Sequence, residues 1–93
     1  MPLETPDVQL DVTDGVDTTH PAMVILFNDE VHTFDDVATQ LVKAIRCSLQ
    51  RGYDFANEVH TRGKACVYTG EMPECLRVSG VLEEISLHTQ IEM

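Results

Sequence analysis

Basic residues are scarce in this sequence. It has 6 Lys and Arg residues against 16 Asp and Glu residues, which gives a formal net charge of −10 at pH 7. Such a charge repels the phosphates of nucleic acids and the headgroups of anionic lipids, whereas it favours encounter with a basic protein surface or a cationic ligand group. We therefore expect no binding to nucleic acid and no binding to membranes.

Long hydrophobic runs are also absent. The chain has no stretch of about 18 apolar residues and no signal peptide, which argues against membrane insertion and export. Its 93 residues leave room for one domain, which excludes a large catalytic cleft between two domains. The sequence predicts a single monomeric module, and the cytoplasm is the expected location.

Cysteine and histidine do not form a metal-binding pattern. No CxxC pair and no usual zinc spacing occurs among the histidines and the three cysteines, Cys47, Cys66 and Cys75. We expect reduced structural thiols, no metal and no cofactor. A pairing of His60 with Cys66 as base and nucleophile lacks an evident oxyanion stabiliser, and no Gly-rich phosphate loop appears, so we expect the protein not to be an enzyme.

Residues 1–21 differ in composition from the rest of the chain. They contain no Lys or Arg, and Pro and Gly residues interrupt any hydrophobic period. The acidic residues of this segment are Glu4, Asp7, Asp11, Asp14 and Asp17. The composition is typical of a disordered acidic extension, so the folded domain is predicted to comprise residues 22–93.

The first half of that domain has the pattern of a strand followed by two helices. Residues 23–27 form a short apolar run that suits a buried strand. Thr33 and Asp36 resemble a capping box, and apolar residues then recur at helical spacing, which predicts a helix over 34–46. These residues are Phe34, Val37, Leu41 and Ile45. Ser48 is suited to cap a second helix, and Gly63 is placed to end it.

The second half predicts a strand, a helix and a last strand. Residues 65–69 alternate loosely, and Pro73 suits the first turn of a third helix. The residues of this helix expected to face the core are Leu76, Val78, Leu82 and Ile85. With a last strand at 87–91, the order is β-α-α-β-α-β. The predicted fold class is α+β, a three-stranded antiparallel sheet with three helices on one face.

Several motifs in this order resemble the ClpS family over residues 22–93. The matching segments are Val24 to Glu30, His32 to Phe34, Val59 to Ala65 and Tyr68 to Glu71. An apolar strand that runs into Asn-Asp-Glu, followed about thirty residues later by Val-His-x-x-Gly-Lys, is specific in both order and spacing. The sequence Asn-Asp-Glu-Val-His-Thr, which begins at Asn28, is also similar to that of the ClpS-like domain inside eukaryotic N-recognin ubiquitin ligases.

The resemblance implies an adaptor that binds the N-terminal residue of N-degron substrates, chiefly Phe, Leu, Tyr or Trp. It further implies docking on the N-terminal domain of a Clp AAA+ unfoldase, ClpA- or ClpC-like. This unfoldase and its partner protease then degrade the delivered substrate. The α-ammonium of a substrate requires convergent acceptors and a nearby anion. Asn28 supplies an amide oxygen, Asp29 supplies the charge, and a neutral His60 can accept through one ring nitrogen.

Beside this site the family has an apolar pocket for the first side chain. Carried over by position, the pocket residues are Phe34, Val37, Ala56, Val59 and Leu87, with Glu30 and His32 at the rim. Phe34 stands where bacterial adaptors commonly have Met, and Ala56 where they often have a longer apolar residue. The ranking of first side chains is therefore left open.

The family docking surface lies around the start of the last helix. Glu71 matches an interface acid of the family, and Arg77 lies near a basic contact. Two alternatives to the adaptor remain open at this point. One is an N-degron reader of a ubiquitin-ligase pathway, and the other is a structural module similar to the C-terminal domain of the ribosomal stalk protein.

Overall fold

The computed structural model describes residues 21–93, and their elements follow the order β-α-α-β-α-β. They are β1 (Ala22–Phe27), α1 (Phe34–Ile45), α2 (Leu49–Arg62), β2 (Lys64–Gly70), α3 (Met72–Glu83) and β3 (Thr89–Glu92). The predicted fold class is confirmed, and the helix predicted over 34–46 ends one residue earlier. The predicted acidic extension lies outside the described residues, apart from Pro21.

The strand β1 lies at the centre of the sheet, antiparallel to β2 on one side and to β3 on the other. Its alternate residues Ala22, Val24 and Leu26 are at most 2% exposed and belong to the core. Side chains from all three helices join this core, among them Leu41, Phe55, Val78 and Leu82. The helices therefore cover one face of the sheet. None of the described helices combines the length and the apolar content needed to cross a membrane.

The helix ends follow the capping residues in the sequence. The Thr33 hydroxyl accepts from the backbone N–H of Asp36, and the Asp36 carboxylate accepts from the backbone N–H of Thr33, which completes the capping box. Ser48 caps α2, and Gly63 ends it at a φ of 88°, a left-handed conformation that glycine adopts without strain. These caps fix the start of α1 and the end of α2, which flank the loop after β1.

Gly52 permits a close approach of α1 and α2. A Cβ atom at this position would lie 2.8 Å from the carbonyl oxygen of Ala38 and 3.1 Å from its Cα. Both atoms belong to the backbone of α1 and cannot rotate away. The glycine therefore has a packing role that outweighs its weak helix propensity.

One residue of α3 was wrongly predicted to face the core. Leu76 was expected to face the core but is 58% exposed. The buried residues of α3 recur at a spacing of three and four residues: Cys75, Val78, Ser79 and Leu82. Leu76 follows Cys75 directly, so it points about 100° away from this stripe. Ile85, also assigned to α3, lies beyond its end and is half-buried.

Candidate functional site

The loop between β1 and α1 forms one wall of a pocket. Two backbone hydrogen bonds hold the end of β1: Phe27 N–H donates to the His88 carbonyl at 3.0 Å, and Asn28 N–H donates to the Gly63 carbonyl at 2.8 Å. The second bond ties the loop to the end of α2. Residues from β1, the loop, α1, α2 and the segment before β3 therefore converge here.

The pocket has a volume of about 160 Å³. It is lined by Leu26, Phe27, Asn28, Asp29, Glu30, His32, Thr33, Phe34, Val37, Ala56, Val59, His60 and Leu87. Its interior side chains are apolar and mostly buried, whereas polar groups from the loop and from the end of α2 surround the opening. Such a combination suits a ligand with an apolar body and one polar end.

Asp29 organises the loop. Its Oδ1 accepts from the backbone N–H of Val31 at 2.5 Å and from that of His32 at 3.1 Å. Its Oδ2 lies 2.8 Å from Nδ1 of the His32 ring. A carboxylate offers about four acceptor positions, so Asp29 keeps capacity for a further donor.

These contacts shift the acid–base equilibria of both side chains. The hydrogen bond from the Val31 backbone, helped by those from His32, lowers the pKa of Asp29 below its ordinary 3.8. The hydrogen bond to Asp29 raises the pKa of His32 above its ordinary 6.5. Asp29 is therefore an anion across the whole physiological pH range, and its charge is partly balanced when His32 is protonated.

The amide of Asn28 is oriented by Glu30. Asn28 Nδ2 donates to Glu30 Oε2 at 3.2 Å, and this contact assigns the nitrogen to the Glu30 side. The amide oxygen is then directed away from Glu30 and is available to accept a hydrogen bond. The loop thus presents a neutral acceptor from Asn28 beside the charge of Asp29.

His60 lies at the last turn of α2, exposed to solvent. Its ring meets the ring of Phe34 edge to face, with 5.4 Å between the centroids. Phe34 is itself 42% exposed at the start of α1. The two rings therefore connect α1 to α2 at the opening of the pocket, and the His60 ring is held near the polar loop.

The ten residues named from the sequence for substrate binding all line this pocket. Three further residues line the pocket but were not predicted to do so: Leu26, Phe27 and Thr33. Leu26 and Phe27 were assigned only to a buried strand, and Thr33 only to a helix cap. The available signal was their position near the Asn-Asp-Glu motif, which Leu26 and Phe27 directly precede and which Thr33 follows by three residues.

Glu71 precedes α3 and Arg77 lies on it, and neither residue lines the pocket. Glu71 is exposed at the N-cap of α3 and its side chain makes no capping hydrogen bond. Arg77 is more engaged, since Nη1 donates to the Ala44 carbonyl at 2.9 Å and Nε to Glu74 Oε1 at 3.0 Å. Arg77 therefore binds the carboxyl end of α1. Within residues 21–93, no group of three or more His, Cys, Asp or Glu side chains is arranged to bind a metal ion.

Comparisons with known proteins connect this geometry to a family. Residues 17–90 match the family model described as ATP-dependent Clp protease adaptor protein ClpS. The ClpS adapter protein of Corynebacterium glutamicum is 36% identical over 70 residues, which cover 75% of this chain and 70% of that protein.

Two further similarities extend the comparison. The E3 ubiquitin-protein ligase UBR2 of Mus musculus is 34% identical over 73 residues, which cover 78% of this chain and 4% of the ligase. The chain therefore spans only a small part of that relative. The solved structure of Agrobacterium tumefaciens ClpS2 bound to L-phenylalaninamide has a TM-score of 0.67, with 77% of this chain and 94% of that chain covered. At 22% identity this likeness shows the fold.

Proposed function

The chain belongs to the ClpS family, and we propose that it is a non-enzymatic, cytoplasmic adaptor that binds the first residue of N-degron substrates. Its ligands are free N-termini that begin with Phe, Leu, Tyr or Trp, and it delivers these substrates to a Clp AAA+ unfoldase. The observation that carries this proposal is that Asn28, Asp29 and His60 line the same pocket as a set of apolar side chains.

The polar rim suits an α-ammonium group. Such a group has three donors and one positive charge, and the rim offers the Asn28 oxygen, the Asp29 carboxylate and a ring nitrogen of neutral His60. Asp29 already accepts three hydrogen bonds, so it acts through its remaining acceptor position, through water or through its charge. The hydrogen bonds that hold Asp29 also keep this anion in place before the ligand arrives.

The apolar interior suits a side chain of the size of phenylalanine. The whole pocket, including its polar opening, has a volume of about 160 Å³, and an apolar cavity of about 150 Å³ in another protein holds benzene. Burial of a Phe or Leu side chain contributes roughly 1.5–3 kcal/mol. Charge-assisted hydrogen bonds contribute amounts of similar size, so we expect micromolar affinity for a single terminal residue. The ligand of the Agrobacterium relative, L-phenylalaninamide, combines the same two groups.

Delivery requires a second surface, which we assign to the start of α3. Glu71 is exposed there, and Leu76 on the same helix is 58% exposed. Arg77 contributes to this surface with the part of its guanidinium that Ala44 and Glu74 leave free. The pocket and this surface share no residue, so one chain can hold a substrate and an unfoldase together.

A reader of the ubiquitin pathway is the second candidate, and the similarity to UBR2 favours it. The adaptor is preferred because the matched region covers 70% of the Corynebacterium ClpS relative but 4% of UBR2. Both candidates predict the same pocket, and they differ in the partner that receives the substrate. The family match leaves the ribosomal-stalk alternative without support.

Fluorescence anisotropy with short labelled peptides tests the proposal. A peptide with a free N-terminal Phe should bind, and the same peptide with an acetylated N-terminus should bind at least about tenfold more weakly, because acetylation removes the charge and two donors. Equal affinity for both peptides contradicts the proposal. Degradation of a Phe-initiated reporter by a purified Clp unfoldase and protease, with and without this chain, then separates the adaptor from the ligase reader.

A further inference from the structure

The pocket is bounded on two sides by helices. The first turn of α1 contributes Phe34 and Val37, and the last turns of α2 contribute Ala56, Val59 and His60. The separation of α1 and α2 therefore sets the width available to a ligand side chain. Whatever fixes this separation determines which side chains fit.

Two adjacent residues of α2 hold α1 at a fixed distance. At Gly52 the helices meet backbone to backbone, since a Cβ there would lie 2.8 Å from the Ala38 carbonyl oxygen. At Tyr53 the hydroxyl donates a hydrogen bond to Oδ1 of Asp35. Gly52 thus allows the close approach, and the hydrogen bond of Tyr53 opposes separation of the helices.

The hydrogen bond of Tyr53 is placed directly beside the pocket. Asp35 adjoins Phe34 in the first turn of α1, and Tyr53 precedes Ala56 by three residues, about one turn of α2. Both neighbours, Phe34 and Ala56, line the pocket. The Tyr53 hydroxyl, whose ordinary pKa is 10.0, is protonated and can donate at neutral pH, and hydrogen bonding to Asp35 raises this pKa further.

We propose that the Gly52–Ala38 contact and the Tyr53–Asp35 hydrogen bond form a clamp that sets the width of the pocket and thereby its choice of first residue. Tyr53 and Asp35 are positioning residues and do not line the pocket themselves. This inference rests on the proposed function. The pocket volume of about 160 Å³ is close to that of an apolar cavity that holds a single benzene molecule in another protein. The clamp therefore selects Phe, Tyr and Leu over Trp, whose two fused rings need more room.

Tyr53→Phe is the central test, because it removes one hydroxyl and leaves the ring and every charge in place. Asp35→Asn weakens the same bond from the other side. Asp54→Asn is the matched control, since Asp54 accepts from Gln50 within α2 and makes the same charge change without a bond to α1. The dissociation constants of peptides that begin with Phe, Leu or Trp are measured by anisotropy, and the melting temperature of each variant is recorded.

The wild type should bind the Phe peptide about tenfold or more tightly than the Trp peptide, a ratio within the range of a size-selective apolar pocket. In Tyr53→Phe and Asp35→Asn this ratio should fall at least about threefold, and the double variant should resemble the single ones because they share one bond. Asp54→Asn should keep the wild-type ratio. Gly52→Ala should lower the ratio in the same way, because its Cβ would push α1 and α2 apart. If the Gly52→Ala variant does not fold, the test rests on Tyr53→Phe.

A purely structural role of Tyr53 would lower the melting temperature and weaken all peptides equally. An unchanged Phe-to-Trp ratio in Tyr53→Phe, or a wild type that prefers Trp, would overturn the clamp while the proposed function stands. If no peptide with a free N-terminus binds the wild type, the proposed function is wrong, and the proposed role of the clamp is wrong as well.

Discussion

The carboxylate of Asp29 and the imidazole of His32 are joined at 2.8 Å, Oδ2 to Nδ1, at the opening of the pocket. The side chains are 17% and 16% exposed, so neither is freely solvated. Because the backbone N–H of His32 also donates to Asp29, the pair closes a short ring in the loop. The anion proposed to attract a substrate ammonium is therefore partly neutralised by a group that titrates near neutral pH.

The pKa of His32 provides a test of this pair. Nuclear magnetic resonance titration of the wild type should give a His32 pKa above 6.5, the ordinary value. In Asp29→Asn the pKa should fall toward that value, because the charge and the strong acceptor are lost. Asp54→Asn removes an equal charge elsewhere and should leave His32 unchanged. A Phe-initiated peptide should lower the His32 pKa, since its ammonium competes for Asp29, and the acetylated peptide should not.

The same pair determines how stability depends on pH. The raised pKa of His32 contributes stability that is fully present below its unfolded value of 6.5 and is lost as the pH rises through the folded value. The lowered pKa of Asp29 contributes stability that is present above 3.8 and is lost as the pH falls through the folded value. The melting temperature of the wild type should therefore exceed that of Asp29→Asn by the largest amount between pH 3.8 and pH 6.5, where both contributions are present. A difference that increases above pH 8 would contradict the ion pair.

Local sequence signals predicted the helix ends and most of the core. Thr33, Ser48 and Gly63 determine helix ends through contacts within a few residues, and such contacts follow from the sequence alone. Leu76 was misassigned because the apolar residues of α3 extend beyond one face, and only the packed structure shows which stripe is buried. The residues expected to line the pocket came from the resemblance to the ClpS family, by motif for Asn28, Asp29 and His60 and by position for the apolar side chains.

The clamp between α1 and α2 could not be predicted in this way. The bond of Tyr53 with Asp35 joins residues 18 positions apart, on two separate helices, and no spacing rule links them. The role of Gly52 likewise depends on how closely the two helices approach. Both contacts depend on tertiary packing, which overrides local propensity.

Loss of the Asn28 side chain should weaken ligand binding. Asn28→Ala removes the amide oxygen that Glu30 orients, so affinity for a Phe-initiated peptide should fall by about tenfold or more. Asn57→Ala makes the same chemical change at an exposed position of α2 that does not line the pocket, and it should bind as the wild type does. Isothermal titration calorimetry measures both. Equal affinity of the two variants would contradict a role of Asn28 in ligand binding.

Two leucines of α3 provide a matched test of core packing. Leu82 is 0% exposed and Leu76 is 58% exposed. Leu82→Ala should lower the free energy of unfolding by about 2–5 kcal/mol, because it removes buried apolar atoms and leaves a cavity. Leu76→Ala should change it by less than about 0.5 kcal/mol. Urea denaturation followed by circular dichroism checks both, and a large loss in Leu76→Ala would contradict the assigned burial.

The docking surface on α3 can be separated from the pocket by mutation. Glu71→Ala should weaken association with the N-terminal domain of a Clp unfoldase, measured by surface plasmon resonance, and should leave peptide affinity unchanged. Arg77→Ala should weaken the same association and, unlike Glu71→Ala, should lower the melting temperature, because the guanidinium no longer binds the Ala44 carbonyl. Asp54→Ala, on α2, is the control for an exposed acid. If Glu71→Ala lost peptide binding as well, the two surfaces would not be independent.

The acidic N-terminal segment lies outside the described residues. The resemblance to ClpS-like adaptors implies a role in delivery, because the segment corresponds in position to the extension through which they engage the unfoldase. It contributes five acidic residues and no basic ones. A chain that begins at Pro21 keeps all six elements of the fold, so it should retain its melting temperature, bind Phe-initiated peptides and dock on the unfoldase. It should nevertheless fail to promote degradation of the bound substrate. A second chain, in which residues 1–20 are replaced by a Gly/Ser segment of equal length, separates the need for length from the need for acidic charge. Normal degradation with the shortened chain would show that the segment is dispensable, and loss of peptide binding would show that the domain begins before residue 21.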